Sequence, residues 1–346
     1  NDSLEEEFCK WFGCQFATTT SSGTAALIMG LLGVGVEPGD EVIVVANSDM
    51  SNTNAIDICG AKVVLCDVNE SDYTMDITKV EGLITPRTRV IMPVDIYGHP
   101  ANVRELRSIA DKYGVMIVED ACLGTFTKDY GQRVGAYADV TVFSTTATKP
   151  INGAAFGGIA VTNNPDIDRK MKLHQNYGVD YRIENSLPDI CNHAAVGYNL
   201  KMHPVDAALV LAKMPYFDRF RENRKHVVTW YEQYLSGVHS VILPTFRPES
   251  EPVMREYVPR ICSMDKNVNM RDLVFKKLIE QGVQASLNYS PAVPLRIIGK
   301  EKKYLNSENV PVCIALSPEI LSLPADPMIT EQEVQIVCNV IREVMD

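Results

Sequence analysis

Val103-Arg104-Glu105-Leu106-Arg107-Ser108-Ile109-Ala110-Asp111-Lys112-Tyr113-Gly114-Val115-Met116-Ile117-Val118-Glu119-Asp120 reads as one helix running into one strand. Leu106, Ile109 and Tyr113 follow Val103 at helical spacing, with Arg104, Glu105 and Arg107 on the outer face. Gly114 stops the helix. The apolar run that follows, 115–119, has strand character and ends in two carboxylates. The same alternation recurs outward from this unit. Strands are expected at Glu41–Val45, Lys62–Cys66, 89–94, 139–143 and Gly158–Thr162, with helical patterns between several of them. Val42-Ile43-Val44-Val45 is apolar without interruption, as a parallel strand covered on both faces should be. Strands spaced this way imply an α/β fold, with a mostly parallel sheet between helices.

The pattern changes near His203. A long helical region carries Ala207, Leu211, Tyr216, Phe217, Arg221, Arg224, Trp230 and Tyr234, and Pro215 inside it predicts a kink or break. The loop-rich stretch 236–252 marks the expected domain boundary. The division is 1–235 for a large domain and 236–346 for a smaller α+β domain. Strands are expected in the latter at 258–262 and 283–287, and helices near 270–281 and 330–344.

At 346 residues, the chain has the length of about two domains. Its 46% hydrophobic and 22% charged residues are ordinary globular values and exclude a mainly disordered chain. A net charge of −11 argues against general nucleic-acid binding and against docking on an acidic membrane. No apolar run reaches the roughly 18 residues of a membrane-spanning helix, and the acidic start Asn1-Asp2-Ser3-Leu4-Glu5-Glu6-Glu7 is no secretory signal. The absence of a starting Met suits a trimmed or processed form. Nine cysteines, none in a C-x-x-C pair, read as reduced thiols of a cytoplasmic protein. The six His do not cluster with Cys at zinc-ligand spacing, so no metal is expected.

Three features carry chemistry. In Ser21-Ser22-Gly23-Thr24-Ala25-Ala26-Leu27, hydroxyl residues and Gly23 precede a helix, whose free N–H groups suit a phosphate. A plain N-cap by Ser22 fits the same residues. Asp120 ends a strand, where ligands of open α/β sheets bind; an acid there can hold a protonated ring nitrogen, or it can simply cap a turn. In Asp139-Val140-Thr141-Val142-Phe143-Ser144-Thr145-Thr146-Ala147-Thr148-Lys149, a strand runs through hydroxyl residues to one Lys. Flanked by Ala147, Pro150 and Ile151, that amine suits Schiff-base chemistry if partly buried. Gly153, Gly157 and Gly158 allow tight turns beside it. A cofactor with a phosphate, a basic ring nitrogen and an aldehyde needs all three features in one site, which is the description of pyridoxal 5'-phosphate.

The ordered set of segments resembles the DegT/DnrJ/EryC1/StrS sugar-aminotransferase family of fold-type I pyridoxal-phosphate enzymes. It comprises Ser22-Gly23-Thr24-Ala25-Ala26-Leu27, Glu37-Pro38-Gly39-Asp40-Glu41-Val42-Ile43, Ile84-Thr85-Pro86-Arg87-Thr88 and Pro93-Val94-Asp95-Ile96-Tyr97-Gly98. Glu119-Asp120-Ala121, Phe143-Ser144 with Thr148-Lys149, Gly197-Tyr198-Asn199, and Leu323-Pro324 with Pro327 and Thr330-Glu331 complete it. The family's usual amino-terminal segment is short or missing before Asn1. The resemblance implies a large cofactor domain and a small carboxy-terminal one. It implies that Lys149 forms the internal aldimine and shuttles a proton, and that Asp120 pairs with the ring nitrogen. Gly23, Thr24 and Ser144 would hold the phosphate. Asn199 would reach the phosphate of the neighbouring subunit, which makes the protein a homodimer with shared active sites.

The sequence departs from the family where the pocket should lie. The segment aligned with the family's ring-stacking aromatic, 48–53, has none, and Met50 is the expected replacement. Leu123 stands where a Gln is usual, Asn288 where a His precedes Tyr289, and Asp326 where a His precedes the late Pro. His99 reads as part of a structural turn, and His174 and His203 as surface or capping residues. Arg182 and Lys201 are candidate anion contacts, although each alone reads as a solvated charge. The expected activity is transfer of an amino group from Glu or Gln to a nucleotide-linked keto-sugar. The alternatives are a cyclitol or other polar carbonyl substrate, an elimination on the same scaffold, and a regulator that binds the cofactor without transamination.

Overall fold

The structure is a computed structural model that describes residues 1–180, 192–265, 267–302 and 304–345. Arg182 lies outside the described residues. Seven strands form the central sheet: β1 (Phe16–Thr20), β2 (Glu41–Val45), β3 (Lys62–Cys66), β4 (Thr88–Met92), β5 (Met116–Asp120), β6 (Val140–Ser144) and β7 (Gly158–Thr162). Their order is β1-β7-β6-β5-β4-β2-β3. The run from β3 to β6 is parallel, while β7 is antiparallel to both β6 and β1. The mostly parallel sheet of the α/β reading is present, with β7 as its reversed member.

Among the described residues, twelve α-helices surround and extend it. These are α1 (Asp2–Phe12), α2 (Gly23–Gly33), α3 (Met50–Ile58), α4 (Ile77–Leu83), α5 (Val103–Tyr113), α6 (Pro165–Gln175), α7 (Pro204–Lys213) and α8 (Phe217–Leu235), followed by α9 (Met270–Glu280), α10 (Ile297–Lys302), α11 (Pro311–Leu316) and α12 (Glu331–Met345). Helix α5 stops where Gly114 adopts a left-handed backbone with φ 66°. Helix α2 is apolar nearly all round, and it is buried between the sheet and helices α3 and α6.

Strand β1 is absent from the sequence expectation. Its Thr18-Thr19-Thr20 run looks polar, yet all three residues are buried, and β-branched Thr suits a pleated strand. Pro215 breaks the long helix as expected: α7 ends, Met214–Tyr216 forms a 3-10 turn, and α8 begins.

The carboxy-terminal strands need correction. Of the expected strand 258–262 only Arg260–Ile261 is a strand, and a second short piece lies just before that range. Glu256–Tyr257 pairs with Leu323–Pro324, and Arg260–Ile261 pairs with Val241–Ile242. Pro259 lies between them and has no N–H for a ladder. Over 283–287 the only pairing among the described residues is a bridge from Ser286 to Ser322. Val283 instead closes the end of α9, its N–H donating to the Leu278 carbonyl. Helix α8 packs along α12, which in turn packs on α9. One hydrophobic core runs from Ala26 of α2 through the sheet to Ile341 of α12. A second cluster joins Leu4 and Phe8 of α1 to Phe143, Phe126 and Phe217. No helix among the described residues is long and apolar enough to cross a membrane.

Candidate active site

A cavity of about 370 Å³ opens at the carboxyl ends of β5 and β6, against the amino terminus of α2. This volume lies within the ~300–1,000 Å³ range of small-molecule sites. Gly23, Thr24, Asp120, Ser144 and Lys149 all line it. The sheet brings these distant positions together because β5 and β6 are parallel neighbours, with Asp120 opposite Val142.

Helix α2 supplies one wall. The Ser22 hydroxyl accepts the Ala25 N–H at 3.1 Å, and the Ser22 carbonyl takes that of Ala26 at 3.0 Å. The earlier N–H groups, of Gly23 and Thr24, have no place in the helical ladder. No acidic residue stands in this first turn, so the positive end of the helix is available to an anion. Both sequence readings of the segment therefore hold at once, as cap and as donor array. A Cβ on Gly23 would lie 2.9 Å from the Ser144 Cβ and 3.0 Å from its hydroxyl oxygen. Glycine is what lets the helix start press against the strand end. Beside it, the Ser144 hydroxyl donates to Thr146 Oγ1 at 3.1 Å, giving two side-chain hydroxyls on the same wall.

The two carboxylates that end β5 point to opposite faces, as successive strand residues must. Asp120 faces the cavity. Its Oδ2 accepts the Asn52 amide at 2.7 Å, and its Oδ1 accepts the Cys122 N–H at 3.0 Å. Glu119 faces away and accepts the Gly135 N–H at 2.9 Å and the Thr141 hydroxyl at 2.8 Å. Burial pushes its carboxyl up to about 7. Asp95 is buried nearby and is pushed well above the usual carboxylate range by burial and then by the Glu119 charge. Burial, followed by the Asp120 charge, likewise raises the Cys122 thiol, while Lys149 opposes that rise.

Lys149 is half-buried in a loop that leaves β6. Its N–H donates to the Thr146 carbonyl at 2.9 Å. The loop is pinned by Asp206 at the start of α7, whose Oδ1 accepts the N–H groups of Ala154 at 2.7 Å and Ala155 at 2.9 Å. Gly153 is required there, because a Cβ would sit 2.7 Å from that oxygen.

One expected contact is not made in this cavity. Met50 is half-buried against the main core, and it is its neighbours Asp49 and Ser51 that line the cavity. Asp49 caps α3 through the Ser51 N–H at 2.8 Å, so the helix starts at Met50 and turns that side chain toward the core. The rings that do line the cavity are Phe156 and Tyr289, the latter stacked on Tyr97 with centroids 6.1 Å apart. Asn199 is exposed, outside the cavity lining, on a segment bridged to Asn176.

Leu123 is buried and lines the cavity. Asn288 donates to Glu256 at 2.9 Å, and Asp326 is exposed and accepts the Met328 N–H. His99 is buried against Phe246, with burial pushing its ring down to about 4. The His174 ring meets the Val196 carbonyl at 2.8 Å, and His203 caps α7. Lys201 sits in a separate hollow with Arg169 and Lys172 and bonds Asn176 at 3.1 Å.

Sequence reading missed Asn52 and Asp206 altogether. Neither carries a local signal, since each meets its partner only through the folded sheet. The described residues contain no group of three or more His, Cys, Asp or Glu placed to hold a metal ion.

The donor set matches a phosphorylated aromatic aldehyde. It offers helix N–H groups and hydroxyls on one wall, a hydrogen-bonded carboxylate at the strand end, and an amine between them. Comparison with known proteins agrees. The UDP-N-acetyl-3-dehydro-alpha-D-glucosamine 3-aminotransferase of Acidithiobacillus ferrooxidans is 28% identical, over 99% of this chain and 88% of that protein. DesV of S. venezuelae, solved in complex with a ketimine intermediate, has a TM-score of 0.90 at 28% identity, covering 100% of this chain and 89% of its own. NtdA of Bacillus subtilis, solved with bound cofactor PMP, has a TM-score of 0.83 at 26% identity, covering 99% and 76%. Residues 1–342 match one family model across both walls of the cavity, and the chain belongs to the DegT/DnrJ/EryC1/StrS aminotransferase family.

Proposed function

We propose that this protein is a pyridoxal-phosphate-dependent aminotransferase that moves an amino group from an amino acid, Glu or Gln, to a nucleotide-linked keto-sugar. The observation that carries the reading is the convergence of Lys149, Asp120 and the α2 amino terminus on one cavity. Relatives whose names specify amino-sugar transamination support the substrate class.

When bound, the cofactor supplies an electron sink for the amine carbon. The chain's residues do the rest. The N–H groups of Gly23 and Thr24, with the hydroxyls of Ser144 and Thr146, hold the phosphate. Asp120 holds the proton on the ring nitrogen. Lys149 Nζ would hold the cofactor at its aldehyde and, when free, would take and return the proton at the substrate carbon. Tyr289, which lines the cavity where Met50 does not, covers the ring. Asn199, exposed in the single chain, reaches the phosphate of a second copy in a cytoplasmic homodimer.

The test is to load the purified protein with pyridoxal phosphate, add L-glutamate or L-glutamine, and follow the visible absorption. A band that bleaches, followed by an aminated product when nucleotide-linked keto-sugars are supplied, is the expected result. A band that persists with every amino donor would overturn the transaminase reading.

A further inference from the structure

Asn52 occupies the third position of α3 and is fully buried. Its Nδ2 donates to Asp120 Oδ2 at 2.7 Å and, more weakly, to the Met92 sulfur at 3.7 Å. Its Oδ1 is buried with no hydrogen-bond partner among the described residues. A buried amide with an orphaned carbonyl is costly, and buried polar atoms are normally paired. An apolar side chain would fill the same space without that cost. What the amide gains is confined to its other end, on the one carboxylate of β5 that faces the cavity.

The arrangement around Asp120 is complete only with this residue. Oδ1 is held by a main-chain donor, the Cys122 N–H, which no side-chain change removes. Oδ2 accepts its short hydrogen bond from Asn52, and the Cys122 thiol also reaches the carboxylate. The two donors fix the rotation of the carboxylate, so that it presents a defined edge to the cavity. Asp95 and Glu119 lie close enough to act on each other and on Asp120 through their charges, yet their own donors come from elsewhere in the fold.

We propose that Asn52 is a positioning residue for Asp120, setting the orientation and basicity of the carboxylate that holds the cofactor's ring-nitrogen proton. This rests on the cavity being the pyridoxal-phosphate site. Without the amide, Asp120 loses the shorter of its two N–H contacts, 2.7 Å against 3.0 Å from Cys122. A less satisfied carboxylate is more electron-rich, and it favours the more positively charged form of the bound chromophore.

The experiment is a spectrophotometric pH titration of the holoprotein, wild type beside Asn52→Leu and Asn52→Ala. The variants are expected to raise the midpoint of the visible band by about one pH unit. Their pyridoxal-phosphate affinity should fall on the order of tenfold, with circular dichroism unchanged. A residue that only fills space would lower the melting temperature of the cofactor-free protein and leave the midpoint where it was. Wild type that titrates normally beside variants with the same midpoint would overturn the role of Asn52 alone. Wild type that takes up no pyridoxal phosphate would overturn the cavity assignment, and this proposal with it.

Discussion

The two sides of the cavity are built by different means. On one side, Asp120 and Ser144 stand at the ends of strands whose register is set by continuous backbone ladders, with Asp120 opposite Val142 and Ser144 opposite Gly158. On the other, Tyr289 sits on a loop near a single bridge, Ser286 to Ser322. That loop is held mainly through polar contacts of Asn288. Its carbonyl accepts the Tyr97 hydroxyl at 2.9 Å and the Ser322 hydroxyl at 3.2 Å, and its amide donates to Glu256 at 2.9 Å. A wall fixed by ladders tolerates little displacement. A wall fixed by side-chain bonds can be retuned one contact at a time, and substrate preference is expected to be set there.

The largest effect tests the ladder side. Lys149→Ala should lower turnover by at least about 10³-fold, the scale of a lost acid/base group. Its thermal melt should match wild type, because the side chain is half-exposed. Turnover at the wild-type rate would remove Lys149 from the chemistry.

Gly23→Val comes next. Its Cβ would fall 2.9 Å from that of Ser144, so α2 must move away from the strand end. A loss of about 1–3 kcal/mol by urea unfolding is expected, as for other overpacked positions. Cofactor uptake should weaken on the order of tenfold, the scale of about 1.4 kcal/mol in binding. Unchanged uptake would mean the phosphate does not sit at this helix end.

Asp206→Ala leaves the Ala154 and Ala155 N–H groups without their acceptor. The cost should be about 1–3 kcal/mol, with a lower kcat as the Lys149 loop loosens. If kcat and stability both hold, the loop is fixed by other contacts.

Tyr97→Phe probes the opposite wall, where the hydroxyl donates to the Asn288 carbonyl and accepts the Asn47 amide, and should cost about 1–2 kcal/mol. Here the KM for the acceptor should change more than kcat. An equal fall in kcat would show that this wall also shapes the reacting geometry.

The smallest effect is a pH dependence of stability. Glu119 has a folded-state value raised to about 7 from 4.5, so the folded chain binds the extra proton between those limits. Its contribution is therefore fully present below pH 4.5 and is lost as pH rises through about 7. The His99 ring, lowered to about 4 from 6.5, acts with the opposite sense, its contribution falling as pH drops through that window. Glu119→Gln should remove the first slope and leave the second, read by urea midpoints from pH 5 to 8. Parallel curves for variant and wild type would show that Glu119 keeps an ordinary affinity for its proton.

The same contrast separates what could be read from residue order and what could not. Parallel strands β2 and β3 and the reversed β7 match their expected limits, because each is a short apolar run whose burial is written in adjacent residues. Gly23, Asp120 and Ser144 lie at element ends, where turn chemistry and helix caps leave local marks, and Lys149 follows in the loop after β6; all four line the cavity. The carboxy-terminal strands were misread because Pro259 splits a run of strand-like composition. Met50, expected over the cofactor, packs against the core in the single chain, because the cap at Asp49 sets which way the α3 side chains face.

By itself, the sequence determined an α/β sheet, its helices, and a phosphate-type helix start, an acid and a lysine in the order the chemistry needs. Short-range periodicity and capping suffice for that. Only the tertiary structure decided that Asn52 meets Asp120, that Asp206 pins the Lys149 loop, and that Tyr289 lines the cavity. Those contacts join residues far apart in the chain. They exist because the strand order places β5 beside β6 and because the carboxy-terminal segment packs back over the strand ends, relations that no local pattern encodes.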